Sequence, residues 1–422
     1  MATTTISGST VTFSNSGAAA NITKTGNEDE TLAFTFDVLA ASGGGKNTTI
    51  YSVDDGIKND DGGAAINVTN KAFAEYNKDL LIQDGVGIES AETSAKGAKF
   101  WIGADNKIHY DAAALSVEIN ALGAGEKFTD TIQYTIKMSN GTLSVGTLTV
   151  VISGTNDAPV IDLVGSDSAA ATLTETDAGL KTCGTLTVTD ADTSDSITAS
   201  VTGVTLSGSS GKLSAADVQA MLTVTSGAIA ADAGDTHNLA WQFNSGSEAF
   251  DFLAAGEHLT LTYTVKVDDG HRGAATREVV ITIHGSNDAA VITGTSTAEL
   301  TETDQAQSTG GKLKATDVDS SADFVVQTDV AGSNGYGKFS IAADGTWTYV
   351  MDDAHDEFVE GLDYTDSITV HTADGTAQLI TVTIHGSNDA AVITGTSTAE
   401  LTETDQAQST GGKLKATDVD SS

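Results

Sequence analysis

The sequence predicts an all-β chain, organised as a tandem array of Greek-key β-sandwich domains. Three observations support this: short strands that alternate apolar and polar residues, glycine-rich turns between them, and a long internal repeat. The block at 284–321 is written again, letter for letter, at 385–422, an offset of 101 residues. A period of that length is a domain and not one turn of a solenoid.

A short Asn-Asp phrase divides the chain into units. GSNDAAVITG stands at 285–294 and 386–395, and the near-copy GTNDAPVIDL stands at 154–163. We take the Asp that closes each pair as a boundary. The resulting segments are unit 1 (1–157), unit 2 (158–288), unit 3 (289–389) and fragment 4 (390–422).

Each unit closes with the same predicted hairpin. Alternating strands such as 259–267 and 368–371 lead to a tight turn, after which a β-branched strand returns. The turns contain Asn140-Gly141, Asp269-Gly270 and Asp374-Gly375, residue types that tolerate positive φ angles.

One aromatic strand in each unit is expected to anchor the core. KFWIGADNKIHY at 99–110 matches KFSIAADGTWTY at 338–349, and LAWQF at 239–243 fills the corresponding place in unit 2. Core packing is the favoured interpretation because such rings bury a large area, and a sugar-binding platform is the alternative. The predicted anchors are Ile108, Tyr110, Trp241, Phe243, Trp347 and Tyr349.

Helical patterns are few. The stretches NKAFAEYNKDLLIQ from Asn70 and SAADVQAML from Ser214 predict short helices with Asn or Ser caps. Both lie where units 1 and 2 exceed the repeat length, so we interpret them as insertions.

The composition excludes several classes of function. Acidic residues number 58 against 20 basic ones, and the formal net charge is −38 at pH 7. This charge repels nucleic-acid phosphates and anionic membranes. The 39% of hydrophobic residues alternate as strand residues do, which argues against disorder. We therefore expect a folded chain that binds no nucleic acid and inserts into no membrane.

Covalent staples, membrane spans and export signals are also not predicted. Cys183 is the single cysteine, which rules out an internal disulfide and a thiolate zinc cluster. The chain contains no apolar run of about 18 residues, and its first residues lack the charged and apolar regions of a cleavable signal.

Catalytic motifs are missing as well. HExxH, GxSxG and the P-loop do not occur. A paired-carboxylate hydrolase would need acids that converge on one cleft, whereas the acids here follow the domain ends. We expect no enzyme.

Several stretches resemble a known family. The run from GGKLKATDVDSS at 310–321 to TVTIHGSNDA at 381–390 closely resembles the VCBS repeat of large bacterial surface proteins. Unit 2 resembles it more loosely through GTLTVTDADTSD and TVKVDDG, and unit 1 resembles related cadherin-like modules through NEDETLAFTFDVLA. The resemblance implies cadherin-like sandwiches of a calcium-dependent, RTX-type adhesin, exported by type I secretion to the bacterial cell surface. The nonapeptide GGxGxDxUx of such proteins is absent.

Carboxylates accumulate where successive units meet. In a seven-stranded sandwich of this connectivity, two loops that carry Asp face the preceding unit, and the linker brings the Asn-Asp pair beside them. Crowded carboxylates repel one another unless they protonate or hold a cation, and an oxygen-only ligand set suits Ca²⁺. The alternative is that Asp and Asn only cap turns.

The predicted calcium ligands form one set per junction. The first set is Glu28, Asp29, Glu30, Glu126, Asn156, Asp157, Asp190, Asp192, Asp268 and Asp269. The second set is Glu175, Asp177, Glu257, Asn287, Asp288, Asp317, Asp319 and Asp374. The third set is Glu302, Asp304, Asp363, Asn388, Asp389, Asp418 and Asp420.

These observations favour a structural protein, whose calcium-rigidified domains form the stalk of an extracellular bacterial adhesin or surface filament. The rival is a binding module for a cell-surface glycan or protein, most easily placed in the insertions at about 70–90 and 205–240. Fragment 4 holds only the first strands of a repeat, so we expect exposed strand edges. Either the natural chain continues, or another copy donates the missing strands in a head-to-tail polymer.

Overall fold

A computed structural model describes residues 18–30, 32–43, 45–55, 79–230, 232 and 234–420, and the backbone of 2–6 and 9–13. The described chain is mostly β, and its strands form two sheets in each of the three units. The strands of unit 1 are β1 (Ala2–Ile6), β2 (Ser9–Phe13), β3 (Ile22–Asn27), β4 (Ala33–Phe36), β5 (Thr49–Asp54), β6 (Glu92–Thr93), β7 (Lys99–Ile102), β8 (Ile108–Asp111), β9 (Lys127–Lys137) and β10 (Thr142–Ser153).

Unit 1 packs a sheet of order β4-β8-β7-β6 against a second sheet of order β1-β2-β10-β9-β5, in which β3 also pairs with β10. Short helical turns connect some of these strands. They are the helices α1 (Val38–Ala41) and α2 (Ser116–Ile119) and the 3₁₀ turns Asp79–Leu81, Ile88–Ser90 and Ala113–Leu115.

Unit 2 follows the same plan, with sheets of order β11-β13-β17-β15 and β12-β19-β18-β14-β16. Its insertion contains α3 (Ala215–Val218) and the 3₁₀ turn Gln219–Met221. The strands are β11 (Val160–Asp162), β12 (Ala170–Thr174), β13 (Lys181–Thr189), β14 (Ile197–Gly208), β15 (Leu222–Val224), β16 (Ala228–Ile229), β17 (Leu239–Asn244), β18 (His258–Asp268) and β19 (Ala274–His284).

Unit 3 has sheets of order β20-β22-β25-β24-β23 and β21-β27-β26. Its strands are β20 (Val291–Gly294), β21 (Thr297–Thr301), β22 (Ser308–Thr316), β23 (Gln327–Ala331), β24 (Gly337–Ile341), β25 (Thr346–Met351), β26 (Asp363–His371) and β27 (Ala377–His385). In fragment 4, β28 (Val392–Gly395) pairs with β29 (Leu414–Thr417).

One feature of the pairing positions the functional site. Early in every unit a short strand runs parallel to the last strand: β3 beside β10, β12 beside β19 and β21 beside β27. All other named pairings within units 2 and 3 are antiparallel. Because parallel neighbours end at the same edge, the residue that follows the early strand lies beside the linker that follows the last strand.

The predicted core anchors are buried in three separate hydrophobic clusters. Trp241 and Trp347 are each 1% exposed, so they face the interior and not a surface platform. Each indole N–H donates to a backbone carbonyl at 2.7 Å, Ser168 for Trp241 and Thr295 for Trp347. The remaining predicted anchors, which are also buried, are Ile108, Tyr110, Phe243 and Tyr349.

The local predictions have mixed outcomes. In the predicted Asn-Gly and Asp-Gly pairs of the closing turns, Gly141, Gly270 and Gly375 adopt positive φ, while the Asn or Asp before each glycine does not. A helix forms after Ser214, whose hydroxyl and amide make a capping box with Asp217. In the stretch from Asn70, residues 70–78 lie outside the described residues.

Fragment 4 exposes apolar side chains that its identical copy in unit 3 covers. Leu414 is 55% exposed and Ile393 is 65% exposed, whereas Leu313 is 1% exposed and Ile292 is half-buried. No helix among the described residues is long and apolar enough to span a bilayer.

Candidate metal centres at the domain junctions

A buried glutamate holds the residue that precedes each Asn-Asp pair. Between units 2 and 3, one oxygen of Glu175 accepts hydrogen bonds from the Ser286 amide, at 2.6 Å, and from its hydroxyl. After unit 3, Glu302 holds Ser387 in the same way, at 3.1 and 2.7 Å. Both glutamates are 1% exposed. The glutamates are therefore fixed across the start of the linker.

The parallel strand pairing explains this position. Glu175 and Glu302 directly follow β12 and β21, which end beside the last strand of their unit. Glu28 follows β3 and accepts from the Thr155 amide at 2.5 Å and its hydroxyl at 2.8 Å. Topology thus places one buried carboxylate at each of the three junctions.

The following unit contributes the second Asp of an Asp-x-Asp pair. Its carboxylate accepts a hydrogen bond from the amide of the linker Asp, which fixes the linker against the new unit. These bonds join Asp157 to Asp192 at 2.9 Å, Asp288 to Asp319 at 3.1 Å and Asp389 to Asp420 at 3.3 Å.

The same carboxylates keep oxygens that have no hydrogen-bond partner although they are buried. A buried, unsatisfied carboxylate oxygen is costly, and the cost rises when several share one place. These oxygens at the three junctions are Glu28 Oε2, Asp190 Oδ2, Asp192 Oδ1, Glu175 Oε2, Asp288 Oδ2, Asp319 Oδ1, Glu302 Oε1, Asp389 Oδ2 and Asp420 Oδ1.

At the second and third junctions the structure adds one carboxylate each that the sequence did not indicate. Asp251 joins Glu175 and Asp288, and Asp356 joins Glu302 and Asp389, with ligand atoms that lie within 4.8 Å of one another in each group. Asp251 and Asp356 each have one buried oxygen without a partner. Each follows a residue with left-handed backbone, Phe250 or His355, which turns the chain toward the junction.

Unit 1 has an amide at the corresponding place. Asn120 lies seven residues before β9, as Asp251 lies seven residues before β18. Its Nδ2 donates to Asp157 Oδ2 at 3.1 Å. The first junction therefore satisfies one linker oxygen that stays open at the second, where Asp288 Oδ2 has no partner.

The crowding is visible in the acidities of these groups. Burial, followed by the charges of Glu175 and Asp251, raises the pKa of Asp288 to about 6. Burial and the charges of Asp195 and Asp157 raise the pKa of Asp192 to about 6. The pKa of Asp190, Asp319 and Asp389 is raised as well, with burial as the first cause. That of Asp420 is raised through its hydrogen bond with Asp418.

Some predicted ligands support the junction from its margin. Asp29 accepts the Thr155 hydroxyl at 2.8 Å. Asp317 accepts the amides of Asp319 and Ser320 at 3.1 and 2.9 Å. The charge of Asp177 helps to raise the pKa of Asp288, and the charge of Asp304 does the same for Asp389. Each linker Asn donates a hydrogen bond to the backbone carbonyl of the Asp that follows it.

Other predicted ligands have exposed side chains or protein partners. Glu30, Glu126 and Glu257 are exposed. Asp363 pairs with His385 at 2.6 Å, and Asp268 pairs with the Lys266 ammonium at 2.6 Å. The Asp374 carboxylate accepts hydrogen bonds from the Thr372 and Thr376 hydroxyls and the Ala290 amide. Burial raises the pKa of Asp374, but these hydrogen bonds outweigh burial and hold the pKa well below the ordinary value.

Comparison with known proteins agrees with this architecture. Residues 287–386 match the family model of the bacterial cadherin-like domain. Unit 3 is thus similar to a bacterial cadherin-like domain, and the chain is an all-β tandem of cadherin-like sandwiches. A comparison with curated protein sequences finds no match.

Cadherin ectodomains are among the solved structures to which the chain is similar. The extracellular cadherin domains 1–5 of protocadherin gamma B2 are 14% identical, with a TM-score of 0.40, over 90% of this chain and 62% of that chain. The protocadherin gamma B7 EC3–6 cis-dimer structure is 12% identical, with a TM-score of 0.36, over 90% of this chain and 76% of that chain. The protocadherin gamma B4 extracellular domain is 13% identical, with a TM-score of 0.33, over 71% of this chain and 44% of that chain. The chain spans less than two thirds of the first and third of these structures.

Proposed function

We propose that the junction carboxylates bind Ca²⁺, and that the chain is part of the stalk of an extracellular bacterial adhesin. One observation carries the proposal: three successive junctions repeat the same carboxylate arrangement, and each has buried oxygens without a donor. A single turn cap needs no such arrangement, whereas a cation satisfies all of these oxygens at once.

The second junction has a ligand set of four carboxylates, which the third junction repeats with Glu302, Asp356, Asp389 and Asp420. Glu175, Asp251, Asp288 and Asp319 each have one buried oxygen free to bind, and all are hard donors without nitrogen or sulfur. Calcium accepts about six to eight such oxygens in flexible geometry, whereas Mg²⁺ requires a near-octahedral set. The ion would neutralise the repulsion that raises the pKa of Asp288.

Cation binding would join two rigid bodies. Glu175 belongs to unit 2 and Asp319 to unit 3, and Asp288 lies in the linker between them. Extracellular calcium modules bind at about 10⁻⁴ to 10⁻³ M, so these junctions would be loose inside a cell and rigid outside it. That behaviour suits a chain exported before it stiffens, in keeping with the resemblance to VCBS repeats of type I secreted adhesins. A non-enzymatic, structural role follows.

The proposal can be tested by small-angle scattering and thermal unfolding of the full chain in about 5 mM Ca²⁺ and in excess EDTA. We expect a longer maximum dimension and a higher melting temperature in Ca²⁺. Asp288→Ala should lose part of both gains. Asp344→Ala is the matched control, because Asp344 is exposed and pairs with Lys312 on the surface of unit 3. Identical scattering and melting in Ca²⁺ and EDTA would exclude the proposal.

Fragment 4 favours a second candidate function, a polymer in which one copy donates strands to the next. The observation is the exposure of Leu414 and Ile393, whose counterparts in unit 3 are covered. Analytical ultracentrifugation would show concentration-dependent filaments if strands are donated, and a single monomeric species if they are not.

A further inference from the structure

The junction of units 1 and 2 contains a histidine among its carboxylates. Ligand atoms of Asp195, Asp269 and His271 lie within 4.8 Å of one another, while the corresponding groups at the other two junctions contain carboxylates alone. His271 Nδ1 is 3.1 Å from Asp195 Oδ1. The histidine ring is half-exposed, so an ion could reach it from solvent.

The carboxylates of this group are buried and incompletely satisfied. The Asp195 side chain is 3% exposed, and its Oδ2 has no hydrogen-bond partner. Asp190 is 6% exposed, and its Oδ2 also has no hydrogen-bond partner. Asp190 lies near the same group, since the charges of Asp195 and Asp269 contribute to its raised pKa. The Asn156 amide oxygen is also buried without a partner, and its Nδ2 donates to Asp269 Oδ2 at 2.9 Å. Several donor atoms thus face one small space.

The hairpin between β18 and β19 builds this arrangement. Asp269 accepts the amides of His271 at 2.6 Å and Gly273 at 3.0 Å, which folds the turn around its carboxylate. A Cβ on Gly273 would lie 1.9 Å from Asp269 Oδ2, so only glycine fits there. In unit 3 the turn of equal length between β26 and β27 surrounds Asp374 with Thr372 and Thr376 hydroxyls instead.

We propose that Asp195, Asp269 and His271 form a site for a zinc-type transition-metal dication, distinct from the oxygen-only sites at the other junctions. An imidazole nitrogen with two carboxylates suits Zn²⁺, whereas Ca²⁺ takes oxygen ligands. The Asn156 amide oxygen or a water would complete the usual four ligands. The proposal rests on the proposed cation-binding role of the junctions and adds a second site, for a different ion, at the first junction.

The test is calorimetric titration of ZnCl₂ into the metal-free full chain. His271→Ala should lose one zinc equivalent or weaken it by about tenfold or more. Asp195→Asn, which keeps the side-chain shape, should do the same. His371→Ala is the matched control, because His371 lies at the corresponding hairpin of unit 3 and contacts the Gly375 carbonyl. This control should titrate like the wild type.

Each outcome of the titration supports or overturns the proposed zinc site. Loss in both His271→Ala and Asp195→Asn, with none in His371→Ala, supports the site. Equal zinc binding by the wild type and His271→Ala overturns it, as does loss in His271→Ala without loss in Asp195→Asn. The melting shift in about 5 mM Ca²⁺ is measured on the same variants. If that shift is present without selective zinc binding, only the zinc site fails, and if it is absent, the calcium proposal fails separately.

Discussion

The sandwich interiors and the junctions both bury carboxylates, and they satisfy them differently. Asp366, inside unit 3, is fully buried and accepts the Tyr349 hydroxyl at 3.1 Å and the Asn334 and Tyr336 amides at 2.8 and 3.2 Å. Glu175, at a junction, is equally buried, but one of its oxygens has no donor. Burial alone therefore does not indicate a cation site, whereas burial without protein donors does.

Unit 2 shows that the interior arrangement is replaceable. Asp130 and Asp366 face Val150 and Val382 across the closing hairpin, and Leu261 faces Ile281 at the same register. The residue that contacts this position changes with it: Tyr110 bonds Asp130 in unit 1 and Tyr349 bonds Asp366 in unit 3, whereas unit 2 has Phe243 at the position of these tyrosines. Two units thus use a Tyr-Asp pair where the third uses Phe and Leu, while the junction glutamate occurs in all three.

The largest effect is expected inside unit 3. Asp366→Ala would leave the Tyr349 hydroxyl and two amides without an acceptor, so we expect a loss of about 3 kcal/mol in the free energy of unfolding, independent of calcium. Chemical denaturation in Ca²⁺ and in EDTA measures it. Tyr349→Phe combined with Asp366→Leu, which copies unit 2, should cost less than the two single changes together. A loss that disappears in EDTA would place Asp366 with the cation sites.

At the junction the sign of the effect should depend on the ion. Glu175→Gln removes the charge of a buried carboxylate that has one oxygen without a donor, so in EDTA we expect equal or greater stability than the wild type. In about 5 mM Ca²⁺ the same change should cost about 1–2 kcal/mol, because the ion contributes less. Paired denaturation curves in the two buffers give both values. A cost of equal size in both buffers would make Glu175 a structural residue like Asp366.

The raised acidities of the junction predict a pH dependence for the metal-free protein. Asp192, with a pKa of about 6 against an ordinary 3.8, binds its proton more tightly in the folded state. Stability from this group is therefore complete below about pH 4 and falls as the pH rises through 6. Melting temperatures in EDTA should decline over this range, and Asp192→Asn should decline less. Saturating Ca²⁺ should flatten the wild-type curve, and an unchanged slope would contradict cation binding there.

The smallest effect distinguishes a sequence-predicted ligand from one found in the structure. Glu257→Gln should change the calcium-induced melting shift by less than about 0.5 kcal/mol, since Glu257 is exposed. Asp251→Asn, six residues earlier, should lose most of the contribution of that junction. Calcium titrations followed by melting temperature compare the two variants. A larger effect of Glu257→Gln than of Asp251→Asn would show that Glu257, and not Asp251, is the calcium ligand.

The sequence predicts much of the fold because the repeat and the alternation of strands are local signals. The buried Trp241 and Trp347 and the junction residues Glu175 and Asp288 follow from pattern and repetition. Asp251 does not, because it reaches the junction only through the left-handed turn at Phe250, which no pattern in the sequence marks.

The same limit applies to the predicted ligands whose side chains are exposed. Glu257 directly precedes β18 and Asp363 begins β26, and both side chains are exposed to solvent. The interior Asp366 is a long-range feature too, since its donors Asn334, Tyr336 and Tyr349 come from the opposite sheet and the loop before β24.

Direct location of the ion tests the central claim, that cations satisfy the open junction oxygens. The measurement is anomalous scattering from crystals of the full chain grown in about 5 mM CaCl₂, recorded at long wavelength. We expect a calcium peak at the second junction, about 2.3–2.6 Å from Glu175 Oε2, Asp251 Oδ1 and Asp288 Oδ2. No peak there, with those oxygens bonded to water or to an ammonium group, would contradict calcium binding at the junctions.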